Sequence, residues 1–448
     1  MLKTGLVWVD GTQDSNFEAR VEAACSALKA KGISAGKVAG LRLTGLCFLT
    51  FYQACHRLGA TVVILSLSQN PKLEGILDYV HVWVSASPLK DWIIRVGNPV
   101  PYPLPPAIAV ICRSSGTTGH AKYIAWHTSG IEHQCQATCS RMQYDAGSCF
   151  LITLPLYCSY GLSLVHIWQR NKNRLTLTEA KHPKTLVQMI ETTRASSFHG
   201  VPQVYASLLQ WLNRYPGARA CLSSVRVWDC GGDRLTKPLA MQWLKRVGLP
   251  ILDGYGLTEA GPNVALNGPT DYQLGTVGKP LSAVELKIMP DKELWVRSPS
   301  ALWGTLDPLR RHLQPFQASH WLPTGDLAGQ EKTVFLNILG RKHYQFVIKG
   351  WNISPESIEE TLLLFPGVVQ VGVTAVTLRK DLRLVALVNL QTNRFPASAL
   401  RAWCAAGLPA YCIPGKFFRI SRLPTNANGK LDRRQLSKIA RVLWPRSS

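Results

Sequence analysis

Acidic residues are scarce in this chain: 27 Asp and Glu stand against 50 Lys and Arg, a formal charge of +23 over 448 residues. Such an excess fits a surface for acidic partners, nucleic acid or an acidic carrier protein. It equally fits a background preference for Arg over Glu, which the scatter of Lys and Arg through most of the chain favours. The excess is densest from 341 to 448, where 17 Lys and Arg face 5 Asp and Glu, about +12. The basic residues are not organised with an aromatic stacking platform or a reader motif, so nucleic acid is not expected as a partner. Long apolar runs are lacking too. The longest candidate, between Leu41 and Leu65, is broken by Arg42, His56 and Arg57, so no transmembrane segment is expected. The start, Met1 to Asp10, has too short an apolar core and no small-residue cleavage site for a secretory signal. The twelve cysteines show neither CxxC nor zinc-type spacing and read as reduced thiols of a cytoplasmic protein. Low-complexity tracts and internal repeats are missing, while 46% hydrophobic residues and 17% charged ones describe a folded, enzyme-like chain. Its length suits a large domain plus a smaller one.

Ala107 to Cys112 reads as a short buried strand, followed by a polar glycine-rich loop and then a helix capped by Thr128-Ser129, with Ile131, Cys135 and Cys139 on one face. Strand-then-loop units recur at Cys149 to Pro155, Val225 to Asp233 and Ile251 to Gly256. Alternating strands and helices over the first 340 residues predict an α/β architecture with ligand sites at strand ends. After Gly340-Arg341 the texture changes to strands at Phe346 to Gly350, Val368 to Val376 and Leu382 to Leu390. A helix opens at Ser354-Pro355-Glu356 and stops by Pro366-Gly367, and a second spans about Ala397 to Ala406. The expected division is therefore 1–340 and a small α+β unit over 341–448.

Four segments carry chemistry. The loop Arg113-Ser114-Ser115-Gly116-Thr117-Thr118-Gly119-His120-Ala121-Lys122 joins hydroxyls, glycines and a lysine after a strand, a set suited to phosphate oxygens, although its spacing is not that of the P-loop. In Asp253-Gly254-Tyr255-Gly256-Leu257-Thr258-Glu259 an aromatic ring offers a stacking face, a threonine can bond phosphate and a carboxylate can hold Mg²⁺. Pro323-Thr324-Gly325-Asp326 places a carboxylate in a turn, able to accept two ribose hydroxyls, and Gly340-Arg341 follows with a guanidinium. Leu423 to Lys430 ends in a lysine on an Asn/Gly loop. Taken singly, each also fits a polar turn, a core tyrosine or a solvated lysine.

In this order, and with Gly231-Gly232-Asp233, Gly275 to Pro280, Glu293 to Arg297 and Gly350 to Glu359, the segments resemble the adenylate-forming superfamily of acyl- and aryl-CoA synthetases, peptide-synthetase adenylation domains and luciferases. The resemblance runs from about Ala54 to Leu436. It implies that Ser114 to Lys122 wraps the β- and γ-phosphates of ATP, and that Gly231, Gly232, Asp253, Tyr255 and Gly256 frame the nucleotide. Thr258 would contact the α-phosphate, Glu259 the Mg²⁺, and Asp326 with Arg341 the ribose. Lys430 would bridge carboxylate and α-phosphate, acting on developing charge. The small domain would swing about His343 to present a second face for thioester formation. Departures are Ala121 for the usual proline, Tyr123 for a common glycine, His343 for the usual Asp or Lys at the hinge, and a short leading segment that implies a trimmed N-terminal subdomain.

Leu154 to Ser163 matches the motif that ends near the acyl pocket, where amino-acid-activating members carry an aspartate at the position of Ser159. Ser159 offers no charge to an ammonium, so an acid without an α-amino group is expected, aryl or short- to medium-chain acyl. Cys158, where many members have histidine, and the wall Phe198-His199-Gly200-Val201-Pro202 would line that pocket. The acceptor thiol is CoA or the phosphopantetheine of an acyl carrier protein. The sequence stops soon after Lys430, so a carrier would act in trans, and the basic run Lys416, Arg419, Arg422, Arg433, Arg434, Lys438 and Arg441 leans toward that acidic partner. A stand-alone amino-acid adenylation enzyme and a non-catalytic adenylate-binding protein are the alternatives.

Overall fold

The computed structural model describes residues 7–9, 12–67, 75–86, 92–97, 104–114, 122–307, 312–317, 319–329, 334–348, 350–378, 381–391, 395–425 and 431–444. β-branched and aromatic runs build two large sheets in the N-terminal part. In the nine-stranded sheet, Val7–Val9, Arg174–Leu177, Cys149–Ile152, Ser197–Gly200, Val227–Cys230 and Ile251–Gly256 lie parallel and adjacent in that order. Cys149–Ile152, Ser197–Gly200 and Val227–Cys230 are buried throughout, as strands covered on both faces must be. The helices Pro183–Thr193, Pro202–Arg214 and Lys237–Val247 cover one face through Trp228, Trp243, Tyr205 and Phe198. On the other face Phe17–Lys29, Gly45–Arg57, Thr128–Met142 and Ser159–Asn171 join it to an eight-stranded sheet through one continuous core.

That second sheet contains the hairpin Ile108–Ser114 and Lys122–His127, antiparallel, with Ser114 opposite Lys122. The second of these strands lies between the loop and the expected helix, a stretch to which the sequence reading gave no element. Tyr123 is buried within it, which accounts for an aromatic where the family often has glycine. The helix that follows, Thr128–Met142, is capped not by Thr128-Ser129 but by His127, whose ring nitrogen accepts from the Gly130 N–H at 3.0 Å. A four-stranded antiparallel sheet, Glu285–Ile288, Glu293–Arg297, Leu322–Gly329 and Asn337–Arg341, leads to the small domain.

The small domain is α+β, and the architecture as a whole is the mixed α/β fold with a large N-terminal and a small C-terminal domain. Val368–Leu378 and Asp381–Leu390 pair antiparallel, with Lys416–Arg419 added in parallel. Pro355–Leu363 and Ala397–Gly407 pack on one face, where Ile358, Leu362, Leu400 and Cys404 are fully buried. The helix Arg433–Leu443, absent from the sequence reading, covers the other face with Leu436 and Ala440. Arg433 corrects the basic run. It is not a free surface charge but a largely covered fork, donating to Glu356 at 3.0 Å and Glu359 at 2.9 Å and lying over the Tyr344 ring. No disulfide joins any of the twelve cysteines, and among the described residues no helix is long and apolar enough to cross a membrane.

Candidate active site

The strand Ile251–Gly256 carries the centre of the site. At Tyr255 and Gly256 its pairing with Asn263–Leu266 slips by a bulge, and a side chain at Gly256 would run into the Pro262 carbonyl. The Tyr255 hydroxyl donates to Asp326 Oδ2 at 2.7 Å. Asp326 and Arg341 are cross-strand partners, and the guanidinium Nε meets Asp326 Oδ1 at 2.6 Å. Asp326 is 2% exposed. Burial pushes its carboxyl above the usual value, while Arg341 and the Tyr255 hydroxyl pull the other way. The turn before it is pinned: Thr324 Oγ1 donates to the Leu294 carbonyl at 2.7 Å and accepts from the Asp326 N–H, and the Gly325 N–H donates to Glu293. Glu293 in turn accepts from Lys342 at 2.9 Å. A carboxylate so placed keeps lone pairs for two further donors.

Beyond Tyr255 the chain enters the short turn Thr258–Ala260. Thr258 donates from Oγ1 to Ser159 Oγ at 3.2 Å, and its carbonyl accepts from the Trp126 indole N–H at 2.8 Å. Ser159 opens the helix Ser159–Asn171, with Cys158 at its N-cap. The Glu259 charge reaches Cys112, whose thiol is pushed up first by burial and then by Glu259. Cys112 lies on the strand that ends at Ser114, opposite the exposed Lys122. One carboxylate beside the strand that feeds the polar loop fits Mg²⁺, which takes one or two protein oxygens and completes its shell with phosphates and water. Ser115, Gly116, Thr117, Thr118 and Gly119, the Ser114 side chain and Lys430 lie outside the described residues.

Gly231 and Gly232 turn the chain at the end of Val227–Cys230, Gly232 in the left-handed region at φ +82°. The Tyr160 ring occupies the space beside Gly231, and the Gly231 N–H donates to the Gly200 carbonyl at 3.4 Å. Asp253 Oδ1 is buried without a hydrogen bond, at a small cleft also lined by Tyr272, Gly275 and Thr276. Burial, with Asp229 and Asp233 adding, pushes this carboxyl well above the carboxylate range. The cleft is small, about the size of one water, and leaves this oxygen open to a single donor.

His199 is a correction. Strand alternation turns its ring into the core, fully buried, with Nδ1 3.0 Å from Asp229 and Nε2 2.9 Å from Ser197, so it cannot wall an acid pocket. Phe198 is likewise core, whereas Gly200 ends the strand near the Gly231 turn and Val201 lies against Gly232. Sequence reading missed Trp126 and a pair far apart in the chain, Arg234 and Glu360, whose side chains meet at 2.7 Å. No local pattern announces a partner 126 residues away.

Comparison with known proteins agrees with this geometry. The AMP-binding enzyme model matches residues 72–304, and the AMP-binding enzyme C-terminal domain matches 357–430. The chain is 28% identical over 341 residues to the 2-succinylbenzoate–CoA ligase of Bacillus subtilis (strain 168), covering 74% of this chain and 68% of that one. It is 27% identical over 359 residues to the long-chain-fatty-acid–CoA ligase of Escherichia coli O157:H7, covering 75% of this chain and 63% of that one. In fold it matches the o-succinylbenzoate CoA synthetase of Bacillus subtilis in complex with its acyl-adenylate intermediate, with a TM-score of 0.80 over 97% of this chain and 95% of that one, at 23% identity.

Proposed function

The chain belongs to the AMP-binding enzymes, and we propose that it activates a carboxylic acid with ATP and Mg²⁺ as an acyl-adenylate and passes the acyl group to a thiol. The observation that carries the reading is the bond from Thr258 to Ser159, within one short stretch of the Tyr255–Asp326–Arg341 cluster. It sets a phosphate-binding hydroxyl between the start of the acid-pocket helix and a ribose-binding carboxylate, the order acid, phosphate, ribose that an acyl-adenylate requires.

Asp326 and Arg341 hold the ribose, Gly231, Gly232, Asp253 and Tyr255 frame the base, Thr258 meets the α-phosphate, and Ser114 to Lys122 takes the β- and γ-phosphates. Glu259 holds Mg²⁺, which supplies charge neutralisation on the phosphates. A carboxylate oxygen of the acid attacks the α-phosphorus, the bond to the β-phosphate bridging oxygen breaks, and pyrophosphate leaves. Lys430 balances the charge that develops. In the second step the thiol sulfur attacks the acyl carbon, AMP leaves with the carboxyl oxygen, and the thiol proton passes to solvent. Residues 1–340 form the ATP- and acid-binding unit and 341–448 the mobile unit. A reduced thiol and ATP suit the cytoplasm.

Ser159 brings no charge to the acid pocket, which favours an aryl or short- to medium-chain acyl acid. The relatives named as CoA ligases support CoA as acceptor. A carrier protein is a second reading, favoured by the small domain's charge: all five acids of 341–448 are engaged within the protein, against 17 Lys and Arg. ATP–pyrophosphate exchange across aryl, fatty and amino acids, followed by thioester assay with CoA and holo carrier protein, tests both. We expect a desamino acid to exceed its α-amino counterpart by about a hundredfold or more in specificity constant, since a buried ammonium without a partner costs several kcal/mol. Robust activation of a common α-amino acid would overturn the substrate class, and Ser159→Asp should move the ratio the other way.

A further inference from the structure

Arg234 follows the Gly231-Gly232-Asp233 turn directly, its N–H held by Asp233 Oδ1 at 2.8 Å. Its guanidinium leaves the large domain and donates to Glu360 at 2.7 Å, with the two side chains 33% and 23% exposed. Glu360 rides on the helix Pro355–Leu363, which the small domain seats through Ile358 and Leu362 without its help. On the same helix Arg433 consumes Glu356 and Glu359, so Glu360 is the carboxylate of that surface left to reach across.

A second seam lies at the start of this helix. Ser354 Oγ donates to Glu356 Oε2 at 2.5 Å and stands 3.4 Å from the Leu339 carbonyl, and the helix start fits against Gly340 because Gly340 has no side chain: a Cβ there would stand 2.6 Å from Ser354 Oγ and 2.9 Å from Glu356. That seam is next to the chain connection at Arg341 and by itself leaves the small domain free to pivot. Glu360 is six residues on, roughly 9 Å along the helix, and a second contact at that distance fixes the rotation. We infer that the Arg234–Glu360 ion pair is a clasp that holds the small domain in this docked orientation and so sets the partition between acyl-adenylate formation and acyl transfer. The inference rests on the proposed two-step reaction. A half-exposed pair of this kind is weak enough to open on every turnover, which suits a bias on domain position and not a permanent lock.

The test compares the parent with Glu360→Gln, Arg234→Gln and the exchanged double variant Arg234→Glu with Glu360→Arg. Small-angle scattering reads domain position without reference to activity. Pyrophosphate exchange reads the first step, and single-turnover thioester formation from synthetic acyl-adenylate and CoA reads the second. Either single variant should enlarge the radius of gyration and change the ratio of the two rates by at least about threefold. The exchanged pair should return both to within about twofold of the parent. Raising salt should loosen the parent and leave Glu360→Gln unmoved. Unchanged scattering, an equal fall in both steps, or an exchanged pair that fails to recover would overturn the clasp. If the parent shows no exchange with any acid the reaction assignment fails, whereas scattering and its salt dependence still decide the clasp.

Discussion

The small domain and the strand ends of the large one treat their charged and polar groups in opposite ways. In the small domain Glu356 and Glu359 bind Arg433, Glu360 binds Arg234, Asp381 binds Arg383, and Asp432 caps the last helix by accepting from Gln435 N–H. At the strand ends Asp253 Oδ1 and the Tyr160 hydroxyl are buried with no hydrogen bond. A folded chain rarely tolerates such orphans without a reason. The small-domain carboxylates serve architecture, whereas the unfilled Asp253 oxygen leaves a place for a ligand's donor.

The largest effect should come from the residue that breaks this division, the small-domain cation proposed to act in the chemistry. Lys430→Ala should lower pyrophosphate exchange by about a hundredfold or more, the scale of losing one donor to developing charge, with the melting temperature unchanged; near-normal exchange would remove Lys430 from the reaction. Arg433→Met attacks architecture instead. Breaking a buried pair costs about 3 kcal/mol, so chemical denaturation should show that loss, and Arg433→Lys should recover only part of it because one ammonium cannot fork to Glu356 and Glu359. Equal stability of Arg433→Met and parent would refute the contrast from its structural side.

At the site, Tyr255→Phe takes one donor from Asp326, and the KM for ATP should rise by about tenfold, the worth of a hydrogen bond to a charged group; an unchanged KM would separate Asp326 from nucleotide binding. The smallest effect, and opposite in sign, belongs to Asp253→Asn. Burial raises the Asp253 carboxyl well above its ordinary value. A group raised on folding contributes fully below its unfolded value, about 3.9, and that contribution is lost as pH rises through the folded value. The variant should therefore match the parent near pH 4 and exceed it at neutral pH. Melting curves at the two pH values check this, and a variant less stable at neutral pH would contradict it.

Much of the fold was legible because its signals are local. Ile251–Gly256 has the bounds expected of it, and the helix after Ser354 begins where a cap followed by proline puts it. The strand Lys122–His127 was not, because a run buried on both faces carries no alternation to separate it from helix. Period two shows that His199 and Gly200 point to opposite faces, but not which face meets the ligand; that is set by helices far along the chain. Arg433 misled for a related reason: composition counts its charge, and only packing shows that the charge is spent inside. The Thr258 to Ser159 bond joins segments 99 residues apart, so sequence order hinted at it without placing it.

Gly340 has a consequence for how this protein can vary. Its φ of +149° and the atoms of Ser354 and Glu356 around it exclude a side chain from two directions. Substitutions around Cys158 and Ser159, the proposed acid pocket, should retune the choice of acid without touching this point, whereas a side chain at Gly340 would meet Ser354 and Glu356 whatever the acid. Variants bred for new substrates should accordingly accumulate changes in the pocket and none at this seam, and a small domain transplanted from a relative should function here only if its helix start leaves that same gap open.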